Sequence, residues 1–461
     1  MRHSAIDYPP GPTGLRSLDF LRTRRRSFAR VAEFLTATAG RYGAVSHWRA
    51  GPRHFYLIDD PPLIEELLVT RARDFMKGIG AQRLRLVMGE GLVTSEPPLH
   101  LRQRRMMQPA FHRERIAAYA ERMIDVARAR AERWNDGEVV HVDAQMAEIA
   151  LEVVVATMFG SQSMHEAGDV RAALAELQPG LATSLGTITA FIPTWLWARI
   201  VRGLPFVPSM RAFLEGQHRL DAIIYRLIDE RGAHSDDGGD LLSMLLAARD
   251  ENGAPMDRRQ IHDEAMTIFL AGHETTAIAL SWTWYLLARH PEVEANVYEE
   301  VKGIGGDRDP TPADVPKLAY VRDVIAESMR LYPPVWNIVR RALRDTALGD
   351  WRISKEANVI ASPLVTHRNP AFWRHPRAFR PERWTNEARD LPKFAYFPFG
   401  GGNRVCIGES FAWTEAILVL ATIARRWRLE PIDRTPIPIE PMVTLRPARP
   451  MLMRARQWRR A

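Results

Sequence analysis

The order of apolar and polar residues indicates a mainly helical chain. Apolar residues recur at the three-to-four-residue spacing of an amphipathic helix in several long segments. These segments cover residues 114–135, 143–159, 211–232 and 257–290. The last of them is apolar almost all round from 265 to 288, which is typical of a helix that crosses a large core. Asp257, with Gln260 three residues later, predicts the N-terminal cap of that helix.

Short strands are predicted on either side of this helical region. Residues 44–60 have the pattern of a β-hairpin with Gly51 and Pro52 at its turn. From Pro333 onward prolines are frequent, which favours turns and short strands over long helices. Because no linker divides the chain, we expect one large domain over residues 1–461, mainly α with small β-sheets.

Composition narrows the class of protein. Hydrophobic residues make up 46% of the 461 and charged residues 26%, as expected of a folded globular chain. Cys406 is the only cysteine, so the chain has no disulfide framework and suits a reducing compartment. The N-terminus lacks the apolar segment of a signal peptide, and no apolar run approaches the roughly eighteen residues of a transmembrane helix. We therefore expect a cytoplasmic protein without a membrane span.

The net charge of +8 raises the question of an anionic partner. Arginines cluster at residues 22–30, 100–115 and 453–461. No zinc-ligand spacing, RNA-binding aromatic motif or Walker loop accompanies them, so nucleic acid is disfavoured. Solvated helix faces explain the first and last clusters, and an acidic protein remains a candidate partner for the middle one.

The stretch around the single cysteine is unusual. Glycines occupy positions 400–402, Arg404 follows, and a helix is predicted directly after Cys406. The glycines allow a tight turn that lies close to a flat partner, and backbone N–H groups at a helix start favour a thiolate. Three interpretations are open: an inert buried thiol, a catalytic nucleophile whose base is not evident, and an axial ligand of haem iron.

A longer pattern decides among these interpretations. The residues Phe-Gly-x-Gly-x-Arg-x-Cys-x-Gly resemble the haem-binding loop of the cytochrome P450 family. This chain matches every fixed position, with Phe399, Gly400, Gly402, Arg404, Cys406 and Gly408. The resemblance implies that Cys406 is the thiolate ligand of the iron of haem b. It also implies that Phe399 packs near the sulfur and that Arg404 contacts a haem propionate.

Three further motifs are similar to those of the same family. Ala271, Gly272, Glu274 and Thr275 match its oxygen-activating groove, which implies that Glu274 and Thr275 deliver protons and that Ala271 faces the haem. Taken alone, these residues could also form a polar turn whose hydrogen bonds are all made locally, with the threonine hydroxyl bonded to a carbonyl of its own helix.

The other two motifs imply a structural triad and a set of propionate contacts. Glu327 and Arg330 match the family's Glu-x-x-Arg, which Arg383 completes as a buried triad. His100 and Arg104 match its propionate-binding pair, for which the alternative is a solvated basic face. Arg340 matches a later propionate arginine, although the adjacent Arg341 competes for that assignment.

The resemblance also implies the overall organisation of the protein. The family has a single triangular domain, here with a β-rich part at about 40–75, a helical core at about 98–335 and a haem-binding loop at 397–408. It is a family of haem-thiolate monooxygenases, which insert one oxygen atom from O2 into a C–H bond or C=C bond. No electron-transfer module is recognisable in this chain. NAD(P)H electrons would then arrive through a reductase and a separate ferredoxin or flavodoxin.

Two expectations about partners complete the prediction. An acidic redox partner would dock on the basic residues Arg102, Arg105, Arg113 and Arg115. The family's pocket segments fall at 78–95, 188–201 and around Ala271, together with the residues Val335, Trp336, Asn337, Met442 and Val443. These segments are mostly apolar, with Asn337 as one polar anchor, so the expected substrate is lipophilic: a terpenoid, steroid or fatty acid.

Two alternative functions remain. One is a peroxide-dependent hydroxylase of the same fold, which is disfavoured because such members tend to lose the acid–threonine pair that Glu274 and Thr275 provide here. The other is a haem-based sensor or carrier without turnover, which would need neither this pair nor a basic partner face.

Overall fold

The computed structural model describes residues 8–14, 29–160, 166–184, 194–203, 207–233 and 239–458. Helices predominate within these ranges and the sheets are small, so the predicted fold class is confirmed. The helices of the N-terminal half are α1 (Ala29–Tyr42), α2 (Pro61–Glu65), α3 (Ile79–Met88), α4 (Leu99–Met107), α5 (Arg113–Ala131), α6 (Val142–Met158), α7 (Ala167–Ser184), α8 (Thr194–Gly203) and α9 (Pro208–Gly232). Those that follow are α10 (Leu241–Ala247), α11 (Arg258–Leu287), α12 (Pro291–Gly305), α13 (Ala319–Leu331), α14 (Pro363–Thr366), α15 (Arg383–Asn386) and α16 (Glu409–Ala424).

The strands form one sheet of five strands and three smaller sheets. The larger sheet has the order β1-β2-β8-β5-β3, and the smaller ones are β4-β12-β9, β10-β11 and β6-β7. The strands are β1 (Val45–Ala50), β2 (Arg53–Ile58), β3 (Phe75–Lys77), β4 (Val139–His141), β5 (Ile338–Ala342), β6 (Thr346–Leu348), β7 (Trp351–Ile353), β8 (Asn358–Ala361), β9 (Trp427–Pro431), β10 (Ile439–Pro441), β11 (Leu445–Pro447) and β12 (Leu452–Gln457). The predicted hairpin is the antiparallel pair β1–β2, which turns at Gly51 and Pro52.

Helix α11 crosses the core, as its apolar composition predicts. Asp257 caps it by accepting a hydrogen bond from the Gln260 amide at 2.7 Å. The second half of the helix is buried, and it packs against α6, α13 and α16. Because α11 is enclosed on several sides, any polar group on it must find a partner from another element.

One predicted helix ends earlier than its pattern suggests. Helix α5 stops at Ala131 rather than at 135. Trp134, which extended the apolar pattern, is buried from the turn that follows, where its indole donates to Gln145 at 3.2 Å. In the sequence, an apolar residue just beyond the end of a helix therefore cannot be distinguished from a further position of that helix.

The predicted triad forms a buried hydrogen-bond network beside α13. Arg330 donates to both oxygens of Glu327 at 2.8 Å, and Arg383 Nε donates to Glu327 Oε1 at 2.9 Å. All three side chains are fully buried. Arg330 also donates to the His367 carbonyl at 2.8 Å, and the His367 ring accepts from the amide of Phe397 at 2.9 Å. The network thus reaches the first residues of the cysteine loop.

Replacing Glu327 by glutamine tests the weight of this network. Glu327→Gln leaves the buried guanidinium of Arg330 without a counter-charge and leaves Arg383 only Glu387, at 3.3 Å. We expect the free energy of unfolding to fall by about 3–5 kcal/mol. Urea denaturation followed by circular dichroism measures the change. Glu215→Gln, which removes an exposed ion pair with Arg211, is the matched control and should change stability by about 0.5 kcal/mol or less. A loss below about 1 kcal/mol for Glu327→Gln would contradict the role of the network.

Candidate active site

A single cavity of about 670 Å³ gathers most of the predicted site residues. Helix α11, the segment after α13, the tip of the β10–β11 hairpin and the cysteine loop form its walls. The predicted residues that line it are His100, Arg104, Ala271, Glu274, Thr275, Val335, Trp336, Asn337, Arg340, Phe399, Arg404, Cys406, Gly408, Met442 and Val443. The triad lies outside this lining. Residues 188–193 of the predicted pocket segment lie outside the described residues.

The cysteine loop is held by its own backbone. The amide of Cys406 donates to the Phe399 carbonyl at 3.0 Å, and the amide of Val405 donates to the Gly402 carbonyl at 3.0 Å. The glycines are required by the packing of this turn. Gly402 has a φ of +65°, and a Cβ there would lie 2.1 Å from the Leu68 carbonyl oxygen. A Cβ at Gly401 would lie 2.4 Å from the ring of Phe394. The close approach of this loop to a flat partner stays a prediction.

The sulfur of Cys406 belongs to the cavity wall. Its side chain is accessible and lines the cavity. Desolvation by the surrounding protein atoms raises the pKa of the thiol to about 11, although the backbone N–H of Gly408 and the charge of Arg104 act in the opposite direction. A directly bound metal ion deprotonates a thiol, and this is the means by which Cys406 can carry a negative charge.

Five cationic or titratable nitrogen groups meet at one end of the cavity. Four were predicted: His100, Arg104, Arg340 and Arg404. The fifth, Lys77, lies opposite Arg340 in the β3–β5 pair and was missed, because nothing in its local sequence distinguishes it from a surface lysine. Arg104 donates to the Val405 carbonyl at 2.7 Å, and Arg404 donates to the Ser95 carbonyl at 3.0 Å.

These groups need an anion that the described side chains supply only in part. Glu96 forms an ion pair with Arg404. Burial, followed by the charge of Arg404, lowers the pKa of Arg340 to about 10. Burial and the surrounding cations lower the pKa of His100 to about 3 and that of Lys77 well below its usual value. A ligand that places two carboxylates here would offset the mutual repulsion of these positive charges. The two propionates of haem fit this requirement.

The choice between Arg340 and Arg341 follows from strand alternation. Successive side chains of β5 point to opposite faces of the sheet. Arg340 lines the cavity, whereas Arg341 forms an ion pair with Glu356 at 3.0 Å on the other side. Arg340 is therefore the arginine that faces the other cations.

The polar turn of α11 has partners that local sequence did not reveal. Thr275 Oγ1 donates to the Ala271 carbonyl at 2.8 Å, one turn earlier in the helix. Glu274 Oε1 accepts a hydrogen bond from Thr444 Oγ1 at 2.7 Å and from Arg446 Nε at 2.6 Å. Both donors lie about 170 residues away along the chain, so spacing could not have identified them.

Comparison with known proteins agrees with the chemistry of the cavity. A family model described as Cytochrome P450 matches residues 9–454. The chain belongs to the cytochrome P450 family. Cyclooctatin synthase of Streptomyces melanosporofaciens is 40% identical over 409 residues, which cover 88% of this chain and 87% of that protein. Cyclooctat-9-en-7-ol 5-monooxygenase of the same organism is 36% identical over 410 residues, with coverages of 88% and 86%. Pentalenene oxygenase of Streptomyces avermitilis is 34% identical over 409 residues, with coverages of 88% and 87%.

Family membership determines the cofactor and the reaction class. P450 proteins carry a haem iron and use O2, so this chain is a haem-dependent monooxygenase. The residues of the cavity fit that cofactor: a thiol at the wall, a group of cations for two carboxylates and apolar walls between them. Among the described residues, no three His, Cys, Asp or Glu side chains converge on a position that could bind a metal ion. None of the helices in the described ranges is long and apolar enough to cross a membrane.

Lys77 provides a test of the cation cluster. We expect Lys77→Met to release haem about fivefold to tenfold faster than the wild-type protein, because one charge-assisted hydrogen bond to a propionate is lost. Transfer of haem to an excess of apomyoglobin measures the rate without reference to activity. Lys393→Met removes an exposed lysine paired with Glu65 and should leave the rate unchanged. Equal rates for all three proteins would exclude Lys77 from cofactor binding.

Proposed function

We propose that this protein oxygenates a terpenoid with electrons from a separate acidic redox protein. The observation that supports this most directly is the placement of one thiol, one acid–threonine pair and a cation cluster around a single apolar cavity. A sensor or carrier needs the thiol and the cations only. The acid–threonine pair has a use when protons must be delivered to oxygen during turnover.

Cofactor binding is assigned to residues at two ends of the cavity. Cys406 would be the iron ligand, and Phe399 and Gly408 line the cavity with it. The cations already described, which are Lys77, His100, Arg104, Arg340 and Arg404, would hold the propionates. Ala271 on α11 lines the cavity and would face the haem, where its short side chain would leave space for O2. When bound, haem with a thiolate ligand supplies the oxidant that transfers one oxygen atom of O2 to a C–H or C=C bond.

The protein side chains supply protons and exclude water. Thr275 donates its own proton to the Ala271 carbonyl at 2.8 Å, which leaves its oxygen lone pairs free to orient a proton donor in the cavity. Glu274 is fixed through Oε1, and Oε2 accepts no hydrogen bond from any described residue. Oε2 is therefore the oxygen that can take up a proton from solvent and release it toward Thr275.

The shape and chemistry of the cavity support a bulky apolar substrate. Val335 lines the cavity and is exposed over about a third of its surface (37%), and Met442 and Val443 line the cavity from the hairpin tip. Trp336 lines the cavity and is also part of the hydrophobic core. Its ring is buried, and its indole N–H donates to the Met442 carbonyl at 2.9 Å. Asn337 lines the cavity, and its amide has no partner among the described residues, so it is the polar anchor.

Relatives narrow the substrate class further. The relatives described above are named for cyclooctatin, cyclooctat-9-en-7-ol and pentalenene, and all three are terpenoids. Together with the mostly apolar cavity, these names favour a cyclic terpenoid over a steroid or a fatty acid for this chain. Reduction by NAD(P)H through a reductase and a ferredoxin or flavodoxin is part of the same proposal.

Replacing Thr275 by alanine tests the reaction. Thr275→Ala should lower the yield of oxygenated product per NAD(P)H consumed by at least about tenfold, because protons are no longer delivered to oxygen at the correct step. Hydrogen peroxide should accumulate instead. The substrate is first selected from a panel of cyclic terpenoids, steroids and fatty acids by the spin-state change of the haem band. A matched Ser281→Ala variant, whose hydroxyl donates to the Ala277 carbonyl deeper in α11, should keep the wild-type yield.

Three outcomes would contradict the proposed reaction. A carrier would bind its ligand equally well with Thr275→Ala and form no product in either protein. A peroxide-dependent hydroxylase would give equal product from hydrogen peroxide with both proteins and none with O2. Reduced wild-type protein with a carbon-monoxide spectrum typical of histidine-ligated haem would exclude Cys406 as the ligand.

The proposed docking surface is narrower than the sequence suggested. Arg102 and Arg105 are paired with Asp250 at 2.7 Å and with Glu251 at 2.5 Å. Both side chains of the Arg105–Glu251 pair are exposed, so the pair contributes little to stability. Arg105 can therefore leave Glu251 and pair with a carboxylate of a docking protein. Arg113 is exposed at the start of α5, just after Phe111, which is the nearest neighbour of a Cβ at Gly408. Arg113 therefore lies on the cysteine-loop side of the protein, and Arg105 follows Arg104, which donates to the Val405 carbonyl.

Charge reversal tests this surface. Arg105→Glu combined with Arg113→Glu should lower the rate of reduction by an acidic ferredoxin or flavodoxin by about tenfold or more at low salt, and less at high salt. Stopped-flow reduction of the substrate-bound protein gives the rate. Arg211→Glu on α9, which makes an exposed pair with Glu215, is the control for net charge. Unchanged reduction by every partner tested would place the docking surface elsewhere.

A further inference from the structure

The tip of the β10–β11 hairpin touches the substrate cavity and the catalytic acid within five residues. The tip is closed by a hydrogen bond from the Met442 amide to the Thr444 carbonyl at 2.9 Å. Met442 and Val443 line the cavity. The next residues, Thr444 and Arg446, bind Glu274. One short segment of backbone thus connects the wall that a substrate contacts to the carboxylate that handles protons.

The contacts with Glu274 fix one of its oxygens and leave the other free. Thr444 Oγ1 donates to Oε1 at 2.7 Å, and Arg446 Nε donates to the same oxygen at 2.6 Å. The second guanidinium nitrogen of Arg446 also forms an ion pair with Oε1. No described residue donates to Oε2. The hairpin therefore determines the direction in which the free oxygen points.

The tip also makes hydrogen bonds to α11 and to the segment after α13. Trp282, further along α11, donates to the Leu445 carbonyl at 2.8 Å. The Leu445 amide donates to the Pro334 carbonyl at 2.9 Å, and Trp336 donates to the Met442 carbonyl at 2.9 Å. The two apolar walls at 334–336 and 442–443 therefore share one hydrogen-bonded frame with Glu274. Because hydrogen bonds weaken steeply with misalignment, a displacement of the tip would loosen the carboxylate.

We propose that Thr444 and Arg446 are positioning residues that orient Glu274 and link the packing of substrate against Val443 to proton delivery. The inference rests on the proposed function, since it assigns a role to the acid of that reaction. A substrate of the right size presses on Met442 and Val443 and holds the tip in place. Glu274 Oε2 is then held toward Thr275. A substrate that leaves a gap at Val443 lets the tip move, and electrons are lost to hydrogen peroxide.

The experiment compares four variants with the substrate-bound wild-type holoenzyme. Arg446→Gln and Thr444→Val should lower product formed per NAD(P)H consumed by about fivefold to tenfold, the effect of losing one charge-assisted hydrogen bond. Both should increase the solvent isotope effect on product formation while substrate affinity, measured by the spin-state change, varies less than about threefold. Arg446→Lys should restore part of the yield. Arg449→Gln is the matched control, because it bonds to Asp433 and to the Thr435 carbonyl, away from the acid.

A double-mutant cycle tests the link to substrate packing. Val443→Ala should lower the product yield, and the combination with Arg446→Gln should fall by less than the product of the two single effects. Multiplicative effects would overturn the link, and a wild-type yield in both Arg446→Gln and Thr444→Val would overturn the positioning role. If one of these variants fails to fold, the other and Arg446→Lys carry the test.

Failure of the proposed function gives a different result. In that case the wild-type protein forms no oxygenated product from any terpenoid, and Thr275→Ala changes nothing. If wild type and Thr275→Ala behave as expected and Arg446→Gln matches wild type, the reaction stands and the role of the hairpin is excluded.

Discussion

The buried carboxylate of Glu327 is the interaction on which the position of the active site depends. Two arginines neutralise it, and without them its burial would cost several kcal/mol. Arg330 donates a hydrogen bond to the His367 carbonyl. The His367 ring in turn accepts a hydrogen bond from the amide of Phe397, at the start of the cysteine loop. The loop then closes on itself through the Cys406 amide. A single charge in the core is thereby connected through hydrogen bonds to the loop that carries Cys406.

At the cavity the buried charges are mostly positive, whereas the charge at the centre of the triad is negative. Lys77, Arg340 and Arg404 bring positive charge together with one carboxylate, Glu96, among them. Burial lowers the pKa of all three groups, and the charge of Arg404 adds to this at Lys77 and Arg340. A ligand with two carboxylates would offset these positive charges, so its binding and the stability of this region would be thermodynamically linked. Glu327 has its charged partners within the chain, whereas a haem bound as proposed would supply counter-charges for the cations.

Local patterns predicted the parts of the site that lie close together in sequence. The cysteine loop, the polar turn of α11 and the Glu327–Arg330 pair each fall within a few residues, and the helix cap at Asp257 could be read from two positions. The partners missed by the sequence were long-range ones. Thr444 and Arg446 meet Glu274 across about 170 residues, and Lys77 meets Arg340 only because β3 pairs with β5. Only the fold establishes such contacts.

This division between local and long-range contacts explains why reaction class is easier to infer than substrate. The motifs that indicate the chemistry are Cys406 and the α11 turn, whose geometry is largely set by hydrogen bonds to nearby backbone groups. The pocket is built from segments that meet from across the chain, and a shift of one side chain by an ångström changes which ligand fits. The β10–β11 hairpin belongs to both, since Val443 lines the cavity and Arg446 pairs with Glu274. On the role that we propose for this hairpin, a substitution there would change selectivity and proton delivery together.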